Sequence, residues 1–230
     1  MVSTASAPYQ FKASPYSSHS LLLAGLPKDG GGRRVLDVGC AGGYLGAILA
    51  ARGYRVTGID SPCARAGFPD SIELVEADLD LGLPRLPCQF DIVICADVLE
   101  HLRQPAAMLG DLRRALADGG RLVASLPNSG HLYFRANVLM GRFPAHDRGL
   151  FDRTHLHFYT WRGWVDLFTE AGFHIESLRC SGVPIGLALP KWDGSAAMRV
   201  LERLSYVSAR LWKKLFAYQF IVTAAPEAGA

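Results

Sequence analysis

A short apolar run that ends abruptly in glycines constrains the fold of this chain more than any other segment. Val35 to Val38 has the composition of a buried strand, and Gly39, Gly42 and Gly43 follow it at once. The next stretch, Tyr44 to Ala51, spaces its apolar residues as on one face of a helix. Glycines let the backbone turn tightly and let a ligand approach it closely. The pattern predicts a strand, turn and helix of the kind that binds a nucleotide cofactor.

The second predicted strand ends in an acidic residue. Arg55-Val-Thr-Gly-Ile leads to Asp60, which lies about 20 residues beyond the glycine turn, and Ser61 follows it. A carboxylate at this position can accept hydrogen bonds from both hydroxyls of an adenosine ribose. The sequence therefore predicts a ligand that contains adenosine.

The charge beside the turn discriminates among adenosine cofactors. A dinucleotide turn usually reads G-x-G-x-x-G and offers N–H groups to a pyrophosphate, whereas this turn reads Gly39-x-x-Gly42-Gly43 with Asp37 just before it. An acid there repels a pyrophosphate but attracts an ammonium and a sulfonium, by some kcal/mol in a shielded cleft. The sequence predicts S-adenosylmethionine. Taken alone, the turn is also compatible with an ordinary strand-to-helix connection.

Further segments in the expected order resemble the motifs of the class I S-adenosylmethionine-dependent methyltransferases, over nearly the whole chain. They are Val35 to Gly43, Glu76 to Leu79, Phe90 to Leu102 and Asp118 to Asn128. The resemblance implies a seven-stranded, doubly wound, Rossmann-like α/β sheet. It also implies the cofactor-binding residues, namely Asp37, Gly39, Cys40, Ala41 and Gly42 at the methionine end, Asp60 and Ser61 at the ribose, Asp78 and Leu79 at the adenine, and Ala96 and Asp97 beside the methyl group.

Two later motifs narrow the resemblance. Asp97-x-x-Glu100-His101 and the segment Asp152-Arg-Thr-His155-Leu-His157-Phe158 are similar to the ubiquinone-biosynthesis type of O-methyltransferase. They resemble more closely the methyltransferases that often sit among bacterial polysaccharide or secondary-metabolite genes. The resemblance implies methyl transfer to a small molecule.

Strand and helix patterns alternate along the chain and predict a doubly wound parallel sheet. The predicted strands are Val35–Val38, Val56–Ile59, Ile72–Val75, Ile92–Cys95, Leu122–Leu126, Phe173–Cys180 and Leu215–Thr223, and the predicted helices are Tyr44–Ala51, Pro105–Ala117 and Trp161–Ala171. We expect a single domain over residues 1–230, with an N-terminal cap at 1–32. Segments 127–159 and 181–214 interrupt the pattern and are expected on the acceptor side, because loops at the carboxyl ends of strands border the ligand crevice.

Two histidines are the candidate catalytic residues. Methyl transfer to a phenol, enol or sugar hydroxyl benefits from a general base, and histidine is the usual one near neutral pH. His101 follows the fourth predicted strand, and His155 lies in a β-like stretch where its side chain alternates with that of His157. The alternative for His101 is that Glu100 and His101 simply cap the next helix. The alternative for His157 is packing beside Phe158.

A metal site is a further possibility for the same region. Asp97, Glu100, His101 and His155 combine carboxylates and imidazoles, a set that could hold Mg²⁺, Mn²⁺ or Zn²⁺. The resembling metal-dependent families usually carry Glu where this chain has Asp97, and no His-His pair follows. We therefore do not expect a metal.

Several polar residues are candidate contacts to the acceptor, and each has a structural alternative. They are His19, Glu100, Asn128, Arg153 and His157. A serine-capped helix start explains His19 equally well, and lid salt bridges explain Arg153. Residues 198–216 form a basic amphipathic helix that suits the sheet, a second subunit or a membrane surface.

Composition limits the remaining classes. The chain of 230 residues is 50% apolar and large enough for one core, and its net charge of +3 is too small to indicate a nucleic-acid partner. An odd set of five cysteines without a C-x-x-C pair predicts free thiols in a reducing cytoplasm. We see no signal pattern and no membrane-spanning stretch. A homodimer stays open.

The sequence predicts O-methylation of a small molecule, either a secondary metabolite or a sugar. The alternatives are N- or C-methylation, RNA 3′-end methylation, or a cofactor-binding partner subunit without catalysis.

Overall fold

A seven-stranded sheet organises the computed structural model, which describes residues 14–62, 68–188 and 195–227. The strands are β1 (Arg34–Val38), β2 (Arg55–Asp60), β3 (Glu73–Glu76), β4 (Phe90–Ala96), β5 (Leu116–Pro127), β6 (Phe173–Cys180) and β7 (Gln219–Pro226). The helices are α1 (Ser18–Leu23), α2 (Tyr44–Ala51), α3 (Pro105–Ala115), α4 (Leu132–Leu139), α5 (Trp161–Glu170), α6 (Ile185–Ala188), α7 (Ala196–Leu211) and α8 (Lys213–Phe216).

The strand order β3-β2-β1-β4-β5-β7-β6 agrees with the predicted doubly wound fold. Strands β1 to β5 pair in parallel, whereas β7 lies antiparallel between β5 and β6. The expectation of an all-parallel sheet is therefore wrong at β7. The chain leaves β6 at the carboxyl edge of the sheet and re-enters β7 from that same edge, where Cys180 pairs with Phe220, so β7 must run backwards.

Apolar residues on both faces of the strands explain the two-sided core. Leu36 and Val93 pack on the face covered by α3 and α5, while Val35 and Ile92 pack on the face covered by α1 and α2. Successive residues of a strand point to opposite faces, so a strand buried on both sides reads as a continuous apolar run. This burial holds the carboxyl ends of β1, β2 and β4 side by side.

The predicted boundaries of one helix and two strands are wrong. The helix expected over Pro105–Ala117 ends at Ala115, because Leu116 already pairs with Phe90. Strand β5 therefore begins at Leu116, not at the predicted Leu122. The strand expected from Leu215 begins only at Gln219, because main-chain hydrogen bonds to Trp212 hold the preceding residues in α8.

The basic amphipathic helix is also shorter than expected and faces outward. It ends at Leu211, and only Met198 and Ala209 of α7 are buried. Its apolar stripe is exposed and consists of Val200, Leu201, Leu204, Val207 and Leu211. This stripe therefore does not pack on the sheet.

Candidate functional site

The turn after β1 is fixed by hydrogen bonds to the end of β2. The backbone N–H groups of Gly39 and Cys40 both donate to the carbonyl oxygen of Ile59, at 2.8 and 3.1 Å. Gly39 has a φ of +71°, and a Cβ at this position would lie 2.4 Å from Val98. A side chain is thus excluded at Gly39 on two grounds, and Val98 brings the segment after β4 against the turn.

Asp60 joins the tip of β2 to the same turn. Its Oδ2 accepts a hydrogen bond from the N–H of Ala41 at 2.7 Å, and its Oδ1 accepts one from the N–H of Ser61, also at 2.7 Å. Ala41 has a φ of +46°, an uncommon conformation for a residue with a side chain. The Asp60 carboxylate therefore stabilises a strained turn.

Asp37 is a buried carboxyl beside Asp60. Its side chain is 2% exposed, and its Oδ2 has no hydrogen-bond partner among the described residues. Burial and the charge of Asp60 raise the pKa of Asp37 to about 7. Burial and the same two carboxylates also raise the pKa of the Cys40 thiol, which makes Cys40 unreactive. The region near the turn is electronegative and suits a cation.

The remaining predicted cofactor residues lie at the carboxyl edge of the sheet. Asp78 follows β3, and its Oδ1 accepts a hydrogen bond from the N–H of Asp80 at 3.0 Å. Leu79, which is half-buried, packs against the main core, and Gly42 is exposed in the turn. Ala96 ends β4. The fold thus brings the predicted set to one edge, although the side chain of Asp78 caps its own turn.

Asp97 is held in an unusual conformation by two residues that the sequence did not single out. It has a φ of +55° and its N–H donates to the carbonyl oxygen of Ser125 at 3.1 Å. Its Oδ1 accepts hydrogen bonds from Ser125 Oγ at 2.7 Å and from Gln219 Nε2 at 2.6 Å. Ser125 and Gln219 lie on β5 and β7, so only the sheet pairing shows their connection to Asp97.

A 3-10 turn after β4 gathers the two candidate catalytic histidines. His101 ends this turn, and the rings of His101 and His155 meet edge to face with centroids 4.7 Å apart. The N–H groups of Leu156 and His157 donate to the carbonyl oxygen of Glu100, at 2.9 and 3.2 Å. This main-chain link fixes the segment that carries His155 beside His101.

Burial favours the neutral forms of the two neighbours of His101. Glu100 is 1% exposed, and burial, followed by the charge of Asp97, raises its pKa well above the usual range. Burial and the proximity of His101 lower the pKa of His155 to about 4. His155 is therefore an uncharged imidazole at neutral pH and a weak base.

Three of the four residues weighed as metal ligands come together. The donor atoms of Glu100, His101 and His155 all lie within 4.8 Å of one another, and two imidazoles with one carboxylate can hold a divalent cation. Asp97 is not part of this group, and its Oδ1 accepts hydrogen bonds from Ser125 and Gln219 instead. The raised pKa of Glu100 favours its protonated form as long as no cation is bound, so metal binding would release this proton.

His19 and Asn128 have structural partners. His19 is 3% exposed in α1, where its Nε2 lies 3.1 Å from the hydroxyl of Tyr44, and Ser17 caps the helix as the alternative interpretation predicted. Asn128 is fully buried, donates to the carbonyl oxygen of Ala217 at 2.8 Å and accepts from the N–H of Gly130 at 2.9 Å. Both the nitrogen and the oxygen of the Asn128 side-chain amide thus hydrogen-bond to the main chain.

Arg153 and His157 also have partners within the protein. Arg153 forms an exposed salt bridge with Asp147, as in the alternative interpretation. His157 Nε2 lies 3.0 Å from the carbonyl oxygen of Leu102. Its ring stacks on Tyr159 with centroids 5.5 Å apart, whereas the alternative interpretation placed it beside Phe158. These two side chains stabilise the segment around His155.

Aromatic side chains extend from His155 towards α4. Phe158 lies 6.1 Å from the His155 ring and 5.2 Å from Phe143, measured between centroids. Phe143 in turn contacts Phe134 and Phe151, at 5.9 and 5.2 Å. We call these four phenylalanines the aromatic wall. Phe143 is 59% exposed and Phe158 is 37% exposed, so the wall offers an apolar surface next to the histidines.

No helix within residues 14–62, 68–188 and 195–227 combines the length and apolar character needed to span a bilayer.

Comparisons with known proteins agree with this architecture. A family model described as a methyltransferase domain matches residues 12–178. The ubiquinone biosynthesis O-methyltransferase of Pseudomonas aeruginosa is 34% identical over 105 residues, which are 42% of this chain and only 45% of that protein. The protein of the same name from Xylella fastidiosa is 30% identical over 191 residues, covering 78% of this chain and 74% of that one.

A solved structure shows the same fold. The S-adenosylmethionine-dependent methyltransferase from Mesorhizobium loti aligns with a TM-score of 0.59 at 22% identity, covering 90% of this chain and 97% of that one.

The fold and the site define the class I S-adenosylmethionine-dependent methyltransferases, enzymes whose cofactor is S-adenosylmethionine. This chain belongs to the methyltransferase-domain family, and the predicted class, fold and cofactor are confirmed.

Proposed function

We propose that the protein transfers the methyl group of S-adenosylmethionine to an oxygen of a small-molecule acceptor. The observation that carries the proposal is the contact between the two parts of the site. Val98, between Asp97 and His101, fills the space that a side chain at Gly39 would take. A cofactor bound along the glycine turn would thus present its methyl group towards the histidine pair.

The acidic turn is proposed to hold the cofactor. The Asp37 carboxyl has one buried oxygen without a partner among the described residues, and a cationic ligand nearby would favour its ionised form. Gly39 and Gly42 let the ligand approach the backbone, and Asp60 takes the ribose hydroxyls. The other proposed contacts are Cys40, Ala41, Ser61, Asp78, Leu79, Ala96 and Asp97.

His101 is the proposed general base. The acceptor's hydroxyl proton moves to a ring nitrogen of His101 while the oxygen attacks the methyl carbon in line with the C–S bond. The electron pair of that bond stays on sulfur and leaves S-adenosylhomocysteine. His155, with a pKa lowered to about 4, is a weak base at neutral pH, so we assign it to orienting the acceptor. Glu100 in its protonated form can donate a hydrogen bond to the molecule that receives the methyl group.

The aromatic wall supports an acceptor with an apolar body. Phe143 and Phe158 offer exposed ring surface within reach of His155, and such surfaces favour flat or apolar ligands. We therefore favour a phenol or enol over a sugar. Asn128 and His157 are left out of the proposed acceptor contacts, because their polar atoms are engaged by the main chain.

A metal would change how the acceptor hydroxyl is deprotonated, but the reaction would take place at the same site. Glu100, His101 and His155 would hold it, and a bound cation would lower the pKa of an acceptor hydroxyl. The proposal does not need it. Activity that survives dialysis against EDTA would agree with the histidine mechanism. Activity that is lost on dialysis and restored only by a divalent cation would indicate a metal-dependent mechanism instead.

N- or C-methylation, RNA 3′-end methylation and a subunit without catalysis are the competing functions. RNA binding would weaken steeply with salt. A subunit without catalysis would bind the cofactor and give no product with any acceptor. Cytoplasmic location and a homodimer stay predictions from the sequence.

The test is a transfer assay with labelled S-adenosylmethionine and a panel of phenols, enols, amines and sugars, with and without EDTA. We expect O-methyl products from apolar phenols or enols. The matched variants are His101→Gln and, as a control, His174→Gln, whose side chain is exposed on β6. Loss of product with His101→Gln alone supports the mechanism, whereas methylated amines or carbon would refute it.

A further inference from the structure

The ring of His101 is held through one of its two nitrogens. His101 Nδ1 lies 3.0 Å from the hydroxyl oxygen of Thr154 and 3.2 Å from the carbonyl oxygen of the same residue. A carbonyl oxygen can only accept a hydrogen bond. The direction of the contact with the hydroxyl oxygen depends on where the Thr154 hydroxyl proton points.

Asp152 determines the direction of that proton. The Thr154 hydroxyl donates to Asp152 Oδ1 at 2.6 Å, and the N–H of Thr154 donates to the same oxygen at 2.8 Å. Asp152 is 5% exposed, so little water competes for its carboxylate. A hydroxyl has one hydrogen, and this one is committed to Asp152. Thr154 Oγ1 therefore presents a lone pair to His101.

Both Thr154 oxygens next to His101 Nδ1 are consequently acceptors. A neutral imidazole carries one N–H, and the hydrogen bonds around the ring decide which nitrogen bears it. Here the hydrogen belongs on Nδ1. Nε2 is left with the lone pair that a general base requires.

We infer that Asp152 and Thr154 are positioning residues that hold His101 in the tautomer protonated at Nδ1, so that Nε2 takes the acceptor's proton. The inference rests on the proposed function for the identity of the base. When Nε2 gains the proton, the imidazolium keeps its Nδ1–H on Thr154. Asp152, which fixes the Thr154 hydroxyl, touches neither acceptor nor cofactor in this scheme.

The tautomer can be read directly by nuclear magnetic resonance. Long-range ¹H–¹⁵N spectra of the His101 ring, assigned by their loss in His101→Gln, distinguish a protonated Nδ1 from a protonated Nε2. The sample contains EDTA and is held at pH 8.5, above the ordinary histidine pKa of about 6.5. We expect the Nδ1–H tautomer in the wild type. A ring protonated at Nε2 overturns the inference.

Two variants at the exposed Thr154 test its role. Thr154→Val removes the hydroxyl and keeps the shape, whereas Thr154→Ser keeps the hydroxyl. Thr154→Val leaves the main-chain carbonyl oxygen as the acceptor next to His101 Nδ1, so we expect it to weaken the preference for the Nδ1–H tautomer and raise the Nε2–H population. We expect kcat to fall by roughly 10-fold with little change in KM, a part of the general-base contribution. Thr154→Ser should stay close to the wild type. An unchanged tautomer or an unchanged kcat in Thr154→Val refutes the assignment.

Failure of the proposed function gives a different result. If the wild type methylates no acceptor, the transfer assay fails, yet the spectra still report the tautomer. If the wild type methylates an acceptor but Thr154→Val is as fast, the proposed methyl-transfer function is supported and the role of Thr154 in directing Nε2 is refuted.

Discussion

The proposed cofactor side and the proposed acceptor side of this site are built in opposite ways. The cofactor side is one continuous stretch, in which Asp37, the glycine turn and Asp60 follow each other through β1, α2 and β2. The acceptor side joins distant segments, because main-chain hydrogen bonds to Glu100 bring His155 to His101. A local pattern can therefore reveal the first, whereas the second exists only in the folded chain.

Burial shifts the pKa values of Asp37 on the cofactor side and His155 on the acceptor side in opposite directions. Burial raises the pKa of the Asp37 carboxyl to about 7, so near neutral pH a nearby cation would shift this group to its ionised form. Burial lowers the pKa of His155 to about 4, so this histidine on the acceptor side is uncharged at neutral pH. The comparison predicts that variants on the cofactor side change binding, and that variants on the acceptor side change the rate.

The largest effect is expected on the acceptor side. His101→Gln should lower kcat by about 10²–10⁴-fold, because Gln keeps hydrogen-bonding capacity but cannot take a proton. Its affinity for S-adenosylmethionine should not change. Steady-state kinetics and calorimetry measure the two quantities. A variant with full kcat, or one that loses cofactor affinity, would break the separation between the two sides.

Asp60→Asn should affect binding instead. The variant keeps the shape of the side chain but loses the charge and one of the two oxygens that accept from Ala41 and Ser61. We expect roughly 10–100-fold weaker binding of S-adenosylmethionine, the value of hydrogen bonds to a charged group. The exposed Asp70→Asn is the matched control. Equal affinities in calorimetry would remove Asp60 from the cofactor site.

Gly39→Ala tests the contact between the two sides. The new methyl group would meet Val98 at 2.4 Å in a backbone with positive φ, so we expect a loss of about 1–3 kcal/mol in the free energy of unfolding. Gly42→Ala has no neighbour within 4 Å and should stay near the wild type. Urea denaturation measures both. Equal stability of the two variants would contradict the close approach of Val98.

A gradual effect of pH is expected at a histidine that supports α4. His131 Nδ1 accepts from the N–H of Tyr133 and caps the helix, and burial lowers the pKa of His131 to about 4. Because the unfolded chain binds the proton more readily, the wild type should lose stability as pH falls from about 6.5 towards 4, by up to about 1.4 kcal/mol per unit. His131→Asn keeps a capping acceptor without titrating. The two proteins should therefore converge in stability or cross over on acidification, whereas a constant difference would refute the shift.

The sequence predicted the strand, the glycine turn and the position of Asp60 at the end of β2, because these elements are neighbours in the chain. It also predicted that His101 and His155 belong together, through a resemblance to known motifs. It missed Ser125 and Gln219, which come to Asp97 from β5 and β7, since strand pairing leaves no local signal. The antiparallel β7 was missed for the same reason. Asp152-x-Thr154 did carry a signal, because Asp and Thr at this spacing favour a side-chain turn.

The most direct test follows a ¹³C-labelled methyl group from S-adenosylmethionine to an apolar phenol or enol, comparing wild type with His101→Gln. The account predicts an O-methyl carbon signal with the wild type and almost none with the variant, while both proteins bind the cofactor equally. A methyl group on nitrogen or carbon, or equal O-methylation by the two proteins, would contradict the account.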